Sequence, residues 1–242
     1  MKTCAFTGHR PKGLGYPESD ERCTALKEKL RALIVKLIEE EGVTHFISGM
    51  AQGVDMYAAE IVLELKKQHP QITLECAIPY ERQAAYWSEP LRNRYFSIAE
   101  QCDQETMLQR QYTPDCLRKR NQYMVDHAEI VLAVWNGSPS GTGQTVWYAR
   151  ETGKPVWILR PDTLEVDFCF WQELLCFLIL PEHLSVSFAD SSPPGEPPLE
   201  GGKRRSAASG GKSEPVSRKR RDWRARQGPG IASPRRCGCQ RS

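Results

Sequence analysis

Two glycine-rich segments contain the residues of this sequence that are best suited to chemistry. The first spans residues 48–55 (SGMAQGVD) and the second spans residues 136–145 (NGSPSGTGQT). Each follows a short apolar run typical of a strand and precedes a stretch with helical spacing. A glycine turn between a strand and a helix directs backbone N–H groups and the helix dipole toward an anion, most often a phosphate. The sequence therefore predicts a ligand that carries phosphate.

A third candidate segment, residues 7–11 (TGHRP), follows the first apolar run. Gly8 allows a ligand to approach the backbone closely, and Arg10 can pair with a phosphate through two N–H groups. His9 could donate a hydrogen bond or serve as a general base. An ordinary turn with a solvated arginine is the alternative, but the expected position on the ligand edge of the sheet favours binding.

Particular residues in the two glycine-rich segments have predicted roles. Gly53 lets a helix begin tightly, and Asp55 is expected to cap that helix. Asp55 could instead bond to a ribose hydroxyl, as acidic residues do in dinucleotide sites. In the second segment, three glycines and four hydroxyl side chains surround one helix N-terminus, which favours a phosphate cradle over a plain connection. No lysine follows the last glycine, so this is not a Walker A loop.

These segments define the predicted site. The candidate ligand-binding residues are Gly8, His9, Arg10, Ser48, Gly49, Gly53, Asp55, Asn136, Gly137, Ser138, Gly141, Thr142, Gly143 and Thr145. No catalytic residue and no cofactor is predicted. No metal ligand is predicted either, because the cysteines show neither a Cys-x-x-Cys pair nor the Cys/His spacing of a zinc site.

Two further places are weighed as parts of the site. In the segment 79–87, Tyr80 or Trp87 could stack on a base and Arg82 could meet a phosphate, while a packed aromatic pair is the alternative. Arg120 lies on a helix before a buried strand, and we expect it at the surface or in a helix cap rather than at a ligand.

The elements that must position these residues follow a regular order. Helices separate the strands, so the strands pair in parallel with right-handed crossovers. This predicts an α/β fold, a Rossmann-like three-layer sandwich with a mostly parallel sheet. The predicted strands are 3–7, 44–47, 72–78, 105–108, 130–135 and 155–159. The predicted helices begin near residues 19, 54, 83 and 114, and a fifth follows the second glycine-rich segment and ends at residue 152. Pro90 is expected to break or kink the helix that spans 83–101.

Charge and composition divide the chain into two parts. Residues 191–242 hold 13 of the 33 Lys and Arg but only 4 of the 30 Asp and Glu, so this part is strongly basic and the rest is mildly acidic. We predict a Rossmann-like domain over residues 1–189 and a disordered tail, rich in Pro, Gly, Ser and Arg, over residues 190–242. The acidic body offers no basic groove for nucleic acid, so only the tail could bind one.

Other features point to the cytoplasm. No signal peptide precedes the first strand, and the nine cysteines are expected to be reduced. The longest apolar run, residues 168–180, is shorter than the about 20 residues that cross a bilayer, so we expect a helix packed on the domain and no membrane partner.

The three motifs, in this order and spacing, resemble the YpsA-like family of the SLOG superfamily, which also holds the LOG nucleotide hydrolases and the DprA/Smf DNA-processing proteins. The resemblance covers about residues 1–160. It implies a bacterial or phage protein that binds or senses a nucleotide or an ADP-ribose-like derivative, with a link to stress responses or cell division. A homo-oligomer is left open.

The relatives within the superfamily supply two alternative functions. The LOG hydrolases carry a glutamate that helps to cleave a base from ribose, and Trp147 stands at the matching position of this sequence. Because tryptophan cannot act as a general acid or base, the resemblance favours binding over N-glycosidase chemistry, although Glu151 lies one turn later. DprA proteins share a segment similar to residues 48–55 and bind single-stranded DNA, which is the second alternative.

Overall fold

The computed structural model describes residues 1–169 and the two-residue segment 216–217. The strands are β1 (Lys2–Gly8), β2 (Val43–Ser48), β3 (Thr73–Ile78), β4 (Gln104–Met107), β5 (Ile130–Val134), β6 (Val156–Leu159), β7 (Val166–Cys169) and β8 (Val216–Ser217). The helices are α1 (Pro11–Leu14), α2 (Glu21–Glu39), α3 (Val54–Leu65), α4 (Glu89–Gln101), α5 (Cys116–Asp126) and α6 (Gly141–Glu151).

The strands form one sheet in the order β7-β6-β5-β1-β2-β3-β4-β8. All neighbours from β6 to β4 pair in parallel, whereas β7 and β8 are antiparallel strands at the two edges. The chain moves from β1 outward to β4 and then returns to place β5 on the other side of β1. The strand order therefore reverses between β1 and β5, and ligands of open α/β sheets bind beyond the carboxyl ends of the strands at such a point.

Helices cover both faces of the sheet. Alternate residues of β1 show this, because Cys4 and Phe6 lie in the apolar core formed with α2, α3 and α4, while Ala5 lies in the core on the α5 side. Val131 and Ala133 of β5 contribute to the core beneath α6. The predicted three-layer sandwich with a mostly parallel sheet is confirmed.

The helix boundaries reflect local chemistry. Asp20 caps α2 by accepting a hydrogen bond from the Arg22 N–H at 2.9 Å, as expected for an N-cap residue. The predicted helix over 83–101 is wrong at its beginning, because α4 starts only at Glu89. Pro90 lies in the first turn of α4, where its missing N–H costs nothing, and its ring disfavours a helix that extends further back.

Several segments differ from the sequence-based expectation. Residues 8–17, where the sequence predicts neither a strand nor a helix, contain the short helix α1. Phe168 lies in the edge strand β7 rather than in a helix, and the rest of the predicted helix, residues 170–180, lies outside the described residues. The predicted disordered tail, residues 190–242, also lies outside them, apart from the two residues of β8.

Neither a membrane-spanning helix nor a metal cluster occurs among the described residues. None of their helices has both the length and the apolar character needed to cross a membrane. Within the same residues, no group of three or more His, Cys, Asp or Glu side chains is arranged to hold a metal ion.

Candidate functional site

Three loops meet where the strand order reverses: a first loop (residues 8–10) after β1, a second loop (residues 48–53) after β2 and a third loop (residues 135–140) after β5. His9, which is 5% exposed, joins all three. Its N–H donates to the Val134 carbonyl at 3.2 Å and its carbonyl accepts from the Val54 N–H at 3.3 Å. Its imidazole Nε2 lies 2.8 Å from the Asn136 Oδ1. The candidate segments predicted from the sequence therefore converge.

Asn136 organises the third loop. Its Oδ1 accepts hydrogen bonds from the Ser138 N–H at 3.0 Å and from the Ser138 hydroxyl at 2.6 Å. The His9 Nε2 contacts Asn136 at two points, because it lies 2.8 Å from this oxygen and 3.3 Å from the Asn136 backbone nitrogen. Burial lowers the pKa of His9, and the bond to Asn136 only partly opposes that effect. His9 is thus a neutral side chain that ties the loops together.

The third loop leads into the N-terminus of α6, where some of the predicted donors are already used. The Ser140 hydroxyl caps the helix by accepting from the Gly143 N–H at 3.1 Å, and the Thr145 hydroxyl donates to the Gly141 carbonyl at 2.9 Å. The Trp135 indole N–H holds the Ser138 carbonyl at 2.8 Å. These contacts build the loop and leave Gly143 and Thr145 without a free donor for a ligand.

Two amides at the start of α6 remain available. The N–H groups of Gly141 and Thr142 precede the first residue that can bond within the helix, and no described residue supplies an acceptor for them. The first turn of α6 contains no acidic side chain. A Cβ atom built on Gly141 or on Gly137, whose φ is +88°, would meet no other atom within 4 Å. The positive end of this helix dipole therefore faces open space.

The second loop is folded around its own polar side chains. The Ser48 hydroxyl donates to the Asp55 carbonyl at 2.8 Å and accepts from the Met50 N–H at 3.2 Å. Asp55 does not cap α3 as predicted: the N-cap residue is Gly53, and the Asp55 carboxylate accepts from the Ala51 N–H at 3.3 Å. A ligand that bound Ser48 or Asp55 would therefore have to replace the hydrogen bonds that hold this loop in place.

Gly53 is required at the close approach of the first and second loops. Its φ is +92°, and a Cβ atom there would lie 2.7 Å from the His9 carbonyl oxygen. Gly8 faces a similar restriction, since a Cβ atom on it would lie 2.4 Å from the Val54 side chain. These glycines bring the start of α3 against the end of β1 rather than opening space for a ligand.

Arg120 of α5 is the residue that the sequence reasoning misplaced. It is 5% exposed. Its guanidinium donates to the Gly49 carbonyl and lies 3.8 Å from the Asp55 Oδ2, while its Nε donates to the Asn121 Oδ1 at 2.7 Å. Its neighbours in the sequence are polar, which is typical of a solvent-exposed helix segment. No local pattern could therefore have predicted its burial.

Asp55 and Arg120 form a buried charge pair. Burial raises the pKa of Asp55, and the charge of Arg120 and the hydrogen bond from the Ala51 N–H, which both lower it, only partly offset this effect. Burial likewise lowers the pKa of Arg120, against the charge of Asp55. The carboxylate of Asp55 occupies the first turn of α3, where the helix dipole favours an anion. The N-terminus of α3 therefore already has an anion of its own, which leaves α6 as the one of these two helices that can receive an external anion.

Arg10 lies beside this pair with an exposed side chain. Its positive charge lowers the pKa of both Asp55 and Arg120. Its backbone lies against the second loop, because a Cβ atom on Gly53 would lie 3.0 Å from the Arg10 Cα. Arg10 donates no side-chain hydrogen bond to any described residue. Its guanidinium is therefore a cation at the site that the described structure does not neutralise by a direct contact.

A fourth loop (residues 79–88) follows β3 at the same edge. The Gln83 Nε2 donates to the Met50 carbonyl at 2.8 Å and thereby joins this loop to the second loop. The rings predicted to stack on a base are engaged, because Tyr80 is buried edge-on against Tyr112 and Trp87 packs edge-on against Tyr95.

The chain is similar to several known proteins. It is 35% identical to the SPbeta prophage-derived protein YoqJ of Bacillus subtilis (strain 168) over 161 residues, which cover 60% of this chain and 94% of YoqJ. It is 28% identical to the UPF0398 protein YpsA of the same strain over 174 residues, or 69% of this chain and 96% of YpsA. DNA processing protein A from Helicobacter pylori has a solved structure with a TM-score of 0.48 and 18% identity, covering 72% of this chain and 71% of that one.

A model of the YspA SLOG family matches residues 4–164. The match begins within β1, continues through β6 with all four loops described above, and ends before the basic part of the chain. It agrees with the resemblance expected from the three motifs. The chain therefore belongs to the YspA SLOG family.

Proposed function

We propose that this protein binds a phosphate-bearing, nucleotide-like ligand at the edge where β1 and β5 separate. The observation that carries the proposal is the open N-terminus of α6, where the amides of Gly141 and Thr142 have no acceptor among the described residues. A helix N-terminus with free amides is suited to an anion. Arg10 adds a guanidinium at the neighbouring loop, and such a group pairs well with phosphate oxygens.

The donor set favours phosphate over a carboxylate. Two adjacent amides and a forked guanidinium approach from different loops, so they suit an anion with oxygens pointing in several directions. The chain up to residue 190 carries more acidic than basic residues, which disfavours general attraction of anions. Binding must therefore come from the local donors, and it is expected to be specific to this edge.

The residues at the site support binding rather than hydrolysis. Trp147 is half-exposed on α6 and has no acid–base chemistry. Glu151 is the last residue of α6, which puts it about 15 Å along the helix from the open amides at 1.5 Å per residue. The Nδ1 of His9 faces Gly13, because a Cβ atom there would lie 3.0 Å from it. None of these side chains is placed to move a proton at a bound phosphate ester.

Calorimetric titration of the full chain tests this proposal. We expect saturable binding of at least one ligand among ADP-ribose, NAD and the nucleoside monophosphates. Arg10→Gln should weaken that binding about ten-fold or more, since a hydrogen bond to a charged group contributes about 1.5–3 kcal/mol.

Arg31→Gln is the matched control for Arg10→Gln. Arg31 is a half-buried arginine of α2 that pairs with Glu64 of α3, away from the loops of the site, so its loss should leave binding unchanged. No heat from any of these ligands, or equal affinity in the Arg10→Gln variant, would contradict the proposal. Release of free base during the titration would instead favour the N-glycosidase alternative.

A further inference from the structure

We infer that Tyr86, in the fourth loop, stacks on the base of the bound ligand, so that the ligand is a nucleoside diphosphate derivative rather than a sugar phosphate. The inference rests on the proposed function, because it extends the same site from the phosphate end to the base end. It is carried by three observations on the fourth loop: an exposed ring, an arginine on that ring, and a tether to the second loop.

Tyr86 differs from the other aromatic residues of its loop. Its ring is 45% exposed, whereas Tyr80 is buried and Trp87 packs on the apolar core. The guanidinium carbon of Arg82 lies 5.4 Å from the centre of the Tyr86 ring, and Arg82 Nη2 donates to the Tyr86 hydroxyl at 3.4 Å. The arginine orients the ring and places a positive charge beside it, which is the combination that favours base stacking.

The fourth loop is held at the ligand edge from both sides. Gln83, between Arg82 and Tyr86, donates to the Met50 carbonyl of the second loop at 2.8 Å. On the other side, the Glu81 N–H donates to the Arg110 carbonyl, after β4, at 3.3 Å. Because the loop is tied at two points, an exposed ring within it has a defined position relative to the phosphate donors. A single exposed aromatic without such ties would carry no inference.

The strand order sets the span that the ligand must cover. The open amides of α6 follow β5 and Tyr86 follows β3, and β1 and β2 lie between these strands. Three strand spacings correspond to about 14 Å. This distance exceeds the separation of base and phosphate in a mononucleotide, whereas a nucleoside joined to a pyrophosphate can extend across it. Arg10, which has an exposed side chain, follows β1, one of the two strands between β5 and β3.

Binding of ADP-ribose and of ribose 5-phosphate to the full-length variants tests the inference. Tyr86→Ala should weaken ADP-ribose binding about ten-fold or more, since stacking on an aromatic ring contributes substantially per base. It should leave the affinity for ribose 5-phosphate as in the wild type, because that ligand has no base. Tyr86→Phe should bind ADP-ribose like the wild type, because it keeps the ring.

Trp147→Ala is the matched control for an exposed aromatic residue beside an arginine, since the Arg150 guanidinium carbon lies 5.7 Å from its ring centre. We expect it to bind both ligands like the wild type. Equal affinity of Tyr86→Ala and the wild type for ADP-ribose would overturn the inference, as would an equal loss for both ligands. If the wild type bound ribose 5-phosphate as tightly as ADP-ribose, the inference would be overturned but the proposed function would stand. If the wild type bound neither ligand, the proposed function would be overturned as well.

Discussion

The polar side chains of the loops fall into two groups at the scale of single residues. One group forms hydrogen bonds within or between the loops and consists of His9, Ser48, Asp55 and Asn136. Arg10 and the first two amides of α6 have no hydrogen-bond partner among the described residues. The motifs predicted segments that the structure brings together at one edge of the sheet, because each of them follows a parallel strand. They could not predict which polar groups were free, since that depends on contacts between loops far apart in the sequence.

The buried pair of Asp55 and Arg120 yields a stability prediction. Asp55→Asn leaves the buried Arg120 charge uncompensated and should lower the free energy of unfolding by about 3–5 kcal/mol. Adding Arg120→Met should recover part of that loss, because no buried charge remains. Urea unfolding of both variants measures this, with Glu64→Gln at the exposed Arg31–Glu64 pair as the control, expected within about 1 kcal/mol of the wild type. A double variant less stable than Asp55→Asn would contradict the account.

The burial of His9 predicts a dependence on pH. Its pKa is lowered in the folded protein, so the unfolded chain binds a proton at a pH where the folded protein does not. The free energy of unfolding should therefore fall as the pH decreases below the ordinary histidine pKa of about 6.5, by at most about 1.4 kcal/mol per pH unit.

The His9→Gln variant should lose that pH dependence. Urea unfolding between pH 7.5 and pH 5.5 measures it, at a pH high enough to keep most carboxylates ionised. His69→Gln, at the half-buried residue after α3, is the control and should keep the dependence of the wild type. A His9→Gln variant with an unchanged slope would show that His9 is not the group responsible.

At the scale of elements, the order and kind of strands and helices could be predicted from the sequence. The apolar period of α2 and the β-branched run of β5 are strong local signals. The failures have local physical causes. Pro90 starts α4 instead of kinking a longer helix. The edge strand β7 follows a turn after β6 in a region where the apolar run suggested a helix, because its pairing with β6 is decided by tertiary contact.

The glycines at the element junctions give a graded prediction. Gly53→Ala should be the most damaging, since it combines a positive φ of +92° with a Cβ atom 2.7 Å from the His9 carbonyl oxygen. Gly42→Ala meets no atom but keeps a φ of +67°, so it should cost about 1–2 kcal/mol. Gly141→Ala, with neither restriction, should stay within about 0.5 kcal/mol of the wild type.

Thermal and urea unfolding of these three variants measure the order of stability. Gly141→Ala should also leave ligand binding unchanged, because an alanine keeps the backbone N–H at the start of α6. Equal destabilisation by Gly42→Ala and Gly53→Ala would show that the first and second loops can move apart. That result would contradict the close approach of α3 to β1 on which the site depends.

At the scale of the whole molecule, the site lies within the part of the chain that matches the family. All the loops that form it fall between residues 8 and 140, inside the matched range of 4–164. The net positive charge of the chain comes from the residues after 190, away from this range in the sequence. We therefore expect any attraction of nucleic acid by charge to come from that part, and the proposed recognition of a small ligand to come from the loops.

The measurement that tests the central claim most directly is the crystal structure of the full chain with ADP-ribose. The account predicts phosphate density at the N-terminus of α6, within hydrogen-bond distance of the Gly141 and Thr142 amides and of the Arg10 guanidinium. The account would be contradicted if the α6 amides bound only water while the phosphate lay elsewhere, for example at α3 beside Asp55 or between α2 and β7.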